Sequence, residues 1–278
     1  MRLFWVLLLF PVVVFSQREA RSHAGSAMTQ TRFSEFCEVD GLMEKSPDLS
    51  DFLIRLEERY RNTNSLRFSQ FLFTKTRQLF LRRYSHEASF RQTLTKGQYN
   101  CLTGTALYAT LLDHFNIPYK IIETNYHIFL MVQTADGEVL FEATDPLNGF
   151  VDNKEEISKR IERYKRNAPF QVADPAKKYY TYNVNLYREV TLDEVKGLLH
   201  YNLSTEAYNT RNFQAAVQHL EQTVSYYNTP RLYEFSTVLL MAVVESDLEP
   251  ALRQACITKV QAIRKKQLSM VAMLNSGD

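Results

Sequence analysis

The chain has 278 residues, 45% of them apolar, enough to bury a sizeable core in one large domain or two smaller ones. Lys and Arg number 33 against 31 acidic residues, a formal charge of +2, which gives no basic face for nucleic acid. Glycine and proline, eight each, are too sparse for a collagenous or low-complexity chain, and the 16 Tyr and 18 Phe suit a packed, helix-rich globule.

The first residues read as a secretory signal peptide over 1–16. Met1-Arg2 begin it, Leu3 to Phe15 is apolar, and Val14 and Ser16 stand where a signal peptidase reads small or modest residues. Thirteen residues of helix span roughly 20 Å, short of the ~30 Å hydrocarbon layer, so no stable membrane span is expected. The mature chain then starts near Gln17, exported to the periplasm or secreted, with polar residues 17–30 as a loose start.

In chain order, Phe52, Leu53, Leu56 and Tyr60 predict a helix over 50–60. Phe68, Leu72, Leu79 and Phe80 predict another over 65–83. Residues 95–100 read as a loop, and a helix follows from Cys101 to Phe115, stopped by Pro118. The period then changes, predicting strands over 119–123, 126–133 and 139–144, with Asp136-Gly137 as a hairpin turn. Residues 153–165 read as an exposed helix and 166–188 as irregular. From Thr191 the chain is helical again. Ser204, Ala216 and Leu220 resemble one tetratricopeptide repeat, and two more helices follow over 231–266. The division expected is 1–16, 17–188 and a helical tail over 189–278, a surface for a protein partner.

Only three cysteines occur, Cys37, Cys101 and Cys256, so an exported chain keeps at least one thiol; Cys37 and Cys256 are open to pairing. No zinc-ligand spacing is present, and no metal or cofactor is expected. Asn202-Leu203-Ser204 is a formal sequon inside a predicted helix.

Cys101 opens a helix, where the dipole and free backbone N–H groups favour a thiolate and its own N–H can hold an oxyanion. Of the six histidines, His114 lies roughly 20 Å along the same helix. His127, on the following strand, is the candidate base. The hairpin supplies a carboxylate. A three-residue loop places residue 127 opposite Asp145; a two-residue Asp136-Gly137 turn places it opposite Pro146. Side chains alternate along a strand, so Glu142 is expected on the other face, as a rim residue.

Gly97–Leu112, Asn116–Tyr119, Tyr126–Val132 and Phe141–Gly149 resemble the transglutaminase-like superfamily. The resemblance implies an α+β, papain-related core, a helix packed on an antiparallel sheet. It implies Cys101 as nucleophile, His127 as base and acid and Asp145 as orienter; it assigns no oxyanion side chain, for which Gln98 is the candidate. The tail looks like that of a bacterial, exported subgroup. No Trp follows His127, a departure from many members that implies a different pocket. The implied activity is hydrolysis or acyl transfer on peptide amides of a peptide or protein substrate, through a thioester. The alternative is a non-catalytic binding module of the cell envelope.

Overall fold

The computed structural model describes residues 31–41, 47–166 and 186–275. The expected signal peptide, the polar stretch to residue 30 and most of the irregular 166–188 segment lie outside them. Among the described residues no helix is long and apolar enough to cross a membrane.

The architecture is mixed helix and sheet. Helices α1 (31–37), α2 (Pro47–Arg61) and α3 (Ser65–Phe80) lead to strand β1 (Arg83–Tyr84), then α4 (Phe90–Lys96) and β2 (Gln98–Tyr99). Helix α5 (Cys101–His114) follows, then β3 (Tyr119–Thr124), β4 (Ile128–Thr134), β5 (Gly137–Phe141) and β6 (Phe150–Val151). Helix α6 (Lys154–Lys165), strand β7 (Tyr187–Val190) and helices α7 (Leu192–Asn209), α8 (Phe213–Tyr226), α9 (Pro230–Val244) and α10 (Pro250–Asn275) complete the order. A short parallel pair joins β1 to β2, and β6-β5-β4-β3-β7 form an antiparallel sheet.

The sheet has two covered faces. Ile121, Leu130, Val132, Val139 and Phe141 face the main core, built around α5. That helix is apolar on all sides, with Ala106, Leu107, Tyr108, Ala109, Leu111 and Leu112 excluded from solvent, as a central helix must be. Ile122, Phe129, Met131 and Leu140 face the other way, against Ile157 and Tyr164 of α6. The exposed helix expected over 153–165 therefore carries a buried stripe, at the spacing of one helix face.

Three elements depart from the expectations. The loop expected at 95–100 contains the end of α4, a helix with a Ser89–Gln92 capping box that stops at Gly97 in the left-handed region (φ 66°). Helix α3 ends at Phe80, and its neighbour Leu79 points outward, 41% exposed. The hairpin turn is Ala135-Asp136, one residue earlier than Asp136-Gly137, because Thr134 pairs with Gly137.

The helical tail shares the main core. One apolar cluster runs from Phe33 through α5 to Leu220, Phe235 and Val260, and β7 crosses the expected 188/189 boundary to pair with β3. Between α7 and α8, Ser204 is fully buried and its hydroxyl donates to the Ala216 carbonyl at 2.7 Å. All three cysteines are free, so Cys37 and Cys256 do not pair.

Candidate active site

Asn100 caps α5 and aims its first residue. Its side chain accepts the Thr103 N–H at 2.9 Å, while Thr103 Oγ1 accepts the Asn100 N–H at 3.1 Å. The Asn100 amide also donates to the carbonyls of His86 and Ala88, both at 3.0 Å, which ties the 85–88 turn to the helix. Cys101 stands in the first turn, half-buried. Helix geometry leaves its N–H without an intrahelical acceptor.

Two contacts fix how closely α5 approaches the sheet. Thr105 Oγ1 donates to the Ile128 carbonyl at 3.2 Å, one residue past His127. A Cβ on Gly104 would stand 2.7 Å from the Ala143 Cβ, so only glycine lets this turn of helix lie against the 142–144 segment.

His127 precedes β4, and its ring bridges the two sides of the sheet end. The Cys101 thiol hydrogen-bonds the imidazole. Nε2 donates to Glu142 Oε2, which leaves Nδ1 as the ring nitrogen open to the thiol. The ring lies 5.0 Å from the Tyr164 ring and stacks on Phe129 at 6.1 Å.

Glu142 is held at every lone pair. Its Oε1 accepts the Thr144 N–H at 3.0 Å and the Thr144 hydroxyl at 2.6 Å; Oε2 accepts the Tyr164 hydroxyl at 2.9 Å and His127. The His127 and Glu142 side chains are 9% and 4% exposed, so their attraction acts with little screening. Burial alone would lower the His127 pKa, but the Glu142 charge and the hydrogen bonds of Cys101 and Glu142 outweigh it and hold the imidazolium well above its ordinary range. Burial alone would raise the Glu142 carboxyl; the His127 charge and the hydrogen bonds of His127 and Thr144 outweigh it, and the pKa is lowered.

Asp145 does not orient His127, contrary to the sequence-based expectation. Its Oδ1 accepts the N–H groups of Leu147 (3.3 Å) and Asn148 (2.9 Å), and its Oδ2 lies 3.2 Å from Arg160 Nη1. Register explains the exchange. Leu130 pairs with Phe141, and that register continued to the strand ends sets 129 against 142 and 127 against 144. Residues 127 and 142 then share a face, one diagonal step apart. A three-residue Ala135-Asp136-Gly137 loop would change the register by one residue and turn residue 145, rather than 142, to the face of residue 127; that loop put Asp145 in the place of Glu142.

Gln98 sits on β2, half-buried, three residues before Cys101, and its carbonyl accepts the Thr93 hydroxyl at 2.8 Å. Tyr84, opposite Tyr99 in the β1–β2 register, is a site neighbour that sequence reasoning missed. The residue is 54% exposed, and partial desolvation with the charges of Cys101, Tyr99 and Glu142 raises the phenol pKa. Tyr164 was missed as well; the spacing of Ile157, Arg160 and Tyr164 was the signal for its buried face.

No protein-family model matches the chain, and neither a curated protein nor a solved structure does.

Proposed function

We propose that the protein is a cysteine hydrolase or acyltransferase of the transglutaminase-like, papain-related kind, acting on peptide amide bonds, with Glu142 in the orienting position. The observation that carries this reading is the placement of His127 between a thiol at a helix N-terminus and a fully hydrogen-bonded carboxylate.

The chemistry follows from these groups. The Cys101 thiol gives its proton to His127 Nδ1, the sulfur attacks the substrate carbonyl carbon, and the oxygen takes up the electron pair of the C=O bond. The Cys101 N–H stabilises that oxyanion, with Gln98 as the candidate second donor. The C–N bond then breaks as His127 gives its Nδ1 proton to the departing amine, leaving a thioester on Cys101. Water, or an amine in a transfer reaction, attacks the thioester while His127 takes its proton. The thiolate leaves, and the acid or the new amide is released. Glu142 keeps Nε2 protonated and the ring aligned throughout. We further propose that the first sixteen residues direct export to the periplasm or beyond. The antiparallel pair of α7 and α8 serves there as a tetratricopeptide-like surface for a partner protein. N-terminal sequencing of the exported protein tests the export reading; a retained Met1 contradicts it.

The test of the chemistry is reaction with p-nitrophenyl acetate, followed by nitrophenolate release and by intact mass. An early burst and an acetyl group on Cys101, both absent from Cys101→Ala, support the reading. Acetylation spread over lysines, unchanged in Cys101→Ala, rules it out in favour of a non-catalytic binding module.

A further inference from the structure

The turn that carries β3 into β4 also carries His127. Thr124 Oγ1 accepts the His127 N–H at 3.1 Å, and the Thr124 N–H donates to the His127 carbonyl at 2.8 Å. The C-terminal helices grip the same turn from its other side. Arg231, in the first turn of α9, donates through Nη2 to the Thr124 carbonyl at 3.3 Å and pairs with Glu123 Oε1 at 2.9 Å. The Tyr227 hydroxyl, at the end of α8, donates to Glu123 Oε1 at 2.6 Å. Arg188 of β7 approaches Glu123 Oε2 at 3.5 Å and also pairs with Glu194 of α7. Burial raises the Glu123 pKa, against the opposing influence of Arg231, Tyr227 and Arg188.

The Arg231 and Glu123 side chains are 7% and 3% exposed. A buried ion pair of this kind adds little net stability over a well-packed apolar pair, because desolvation offsets the attraction. What it does supply is direction. A single terminal nitrogen, Nη2, reaches a carboxylate and a backbone carbonyl at once, and its two N–H groups in the guanidinium plane set the two acceptors relative to each other. Its second partner is the carbonyl of the residue that fixes the His127 backbone.

We propose that Arg231 is a positioning residue for His127: through Glu123 and Thr124 the C-terminal helices set the imidazole against the Cys101 thiol. The α8–α9 junction is then part of the reactive centre's support as well as a packing layer. This inference rests on the thiol chemistry proposed above, and its test separates the two.

The experiment is the rate of Cys101 alkylation by iodoacetamide from pH 5.5 to 9, located by peptide mass, on protein shown to be folded by circular dichroism. Arg231→Met is compared with Leu239→Ala, which removes fully buried packing from the same helix without touching Glu123. The double variant Glu123→Gln/Arg231→Met strands no buried charge and stands in where the single variant does not fold. The Arg231 variants are expected to move the acid limb of the profile up by about one pH unit, a loss of about tenfold in rate on the acid side of the wild-type limb. Leu239→Ala is expected to lower the melting temperature and keep the wild-type profile. Folded Arg231 variants with a wild-type profile overturn the inference, as does an equal shift in Leu239→Ala. A wild-type protein that fails to react below about pH 7 overturns the thiol reading, and this one with it.

Discussion

The Glu142 carboxylate and the His127 imidazole lie on the same face of the sheet, one diagonal step apart across the β4–β5 register, and Nε2 donates to Oε2. Asp145, three residues further on, turns away to Arg160 and its own loop. The carboxylate chemistry of the site therefore rests on residue 142.

Glu142→Gln keeps the shape but loses the charge that stabilises the imidazolium and favours the other tautomer. Turnover of an ester substrate is expected to fall by about 10²-fold or more, on the order of 3 kcal/mol in the barrier. Asp145→Asn is expected to stay within a few-fold of the wild type. The reverse ranking in steady-state assays would return the orienting role to Asp145.

The buried pair makes stability depend on pH in a definite direction. The Glu142 pKa is lowered from 4.5, so its contribution is present above that value and lost as pH falls through the lowered one. The His127 pKa is raised from 6.5, so its contribution is complete below that value and lost as pH rises through the raised one. The difference in urea stability between wild type and His127→Gln/Glu142→Gln should be greatest between pH 4.5 and 6.5 and shrink on both sides. A difference that grows steadily toward alkaline pH contradicts the pairing.

Gly104→Ala places a methyl group against Ala143, where a Cβ would stand 2.7 Å away. The helix must move off the 142–144 segment, so overpacking of about 1–3 kcal/mol is expected. The same movement draws Cys101 away from His127, so alkylation should slow more than it does in a surface variant such as Lys75→Ala. An unchanged melting temperature and an unchanged alkylation rate would show that the two elements are not in contact.

The three free thiols should separate by reactivity. Cys37 is buried, and burial, reinforced by Asp40, pushes its thiol up to about 12; burial also raises Cys256. Limiting iodoacetamide at neutral pH should label Cys101 alone in the folded protein, and all three after urea unfolding. Equal labelling of Cys37 or Cys256 in the folded state would contradict the packing around α1 or α10.

Much of the fold is written locally. The apolar run of α5, the short apolar strand runs after Pro118 and the spacing of Phe213, Ala216 and Leu220 each specify an element, because these patterns are properties of neighbouring residues. The same locality places Cys101 at a helix start and His127 at a strand entrance, since Asn100 caps and Pro118 terminates within a few residues. The choice between Glu142 and Asp145 is of another kind. It depends on whether the hairpin closes through the two residues Ala135-Asp136 or through the three-residue loop Ala135-Asp136-Gly137, and both are compatible with the same run of residues. The tertiary structure decides it by burying Leu130 and Phe141 together against α5 and Leu140 against α6; the slipped register would reverse both faces of β5. Tyr164 and Arg231 reach the site from helices distant in sequence, through contacts that no local period encodes. Sequence thus determined most of the elements and the positions of the thiol and the imidazole, and long-range packing chose the carboxylate beside them.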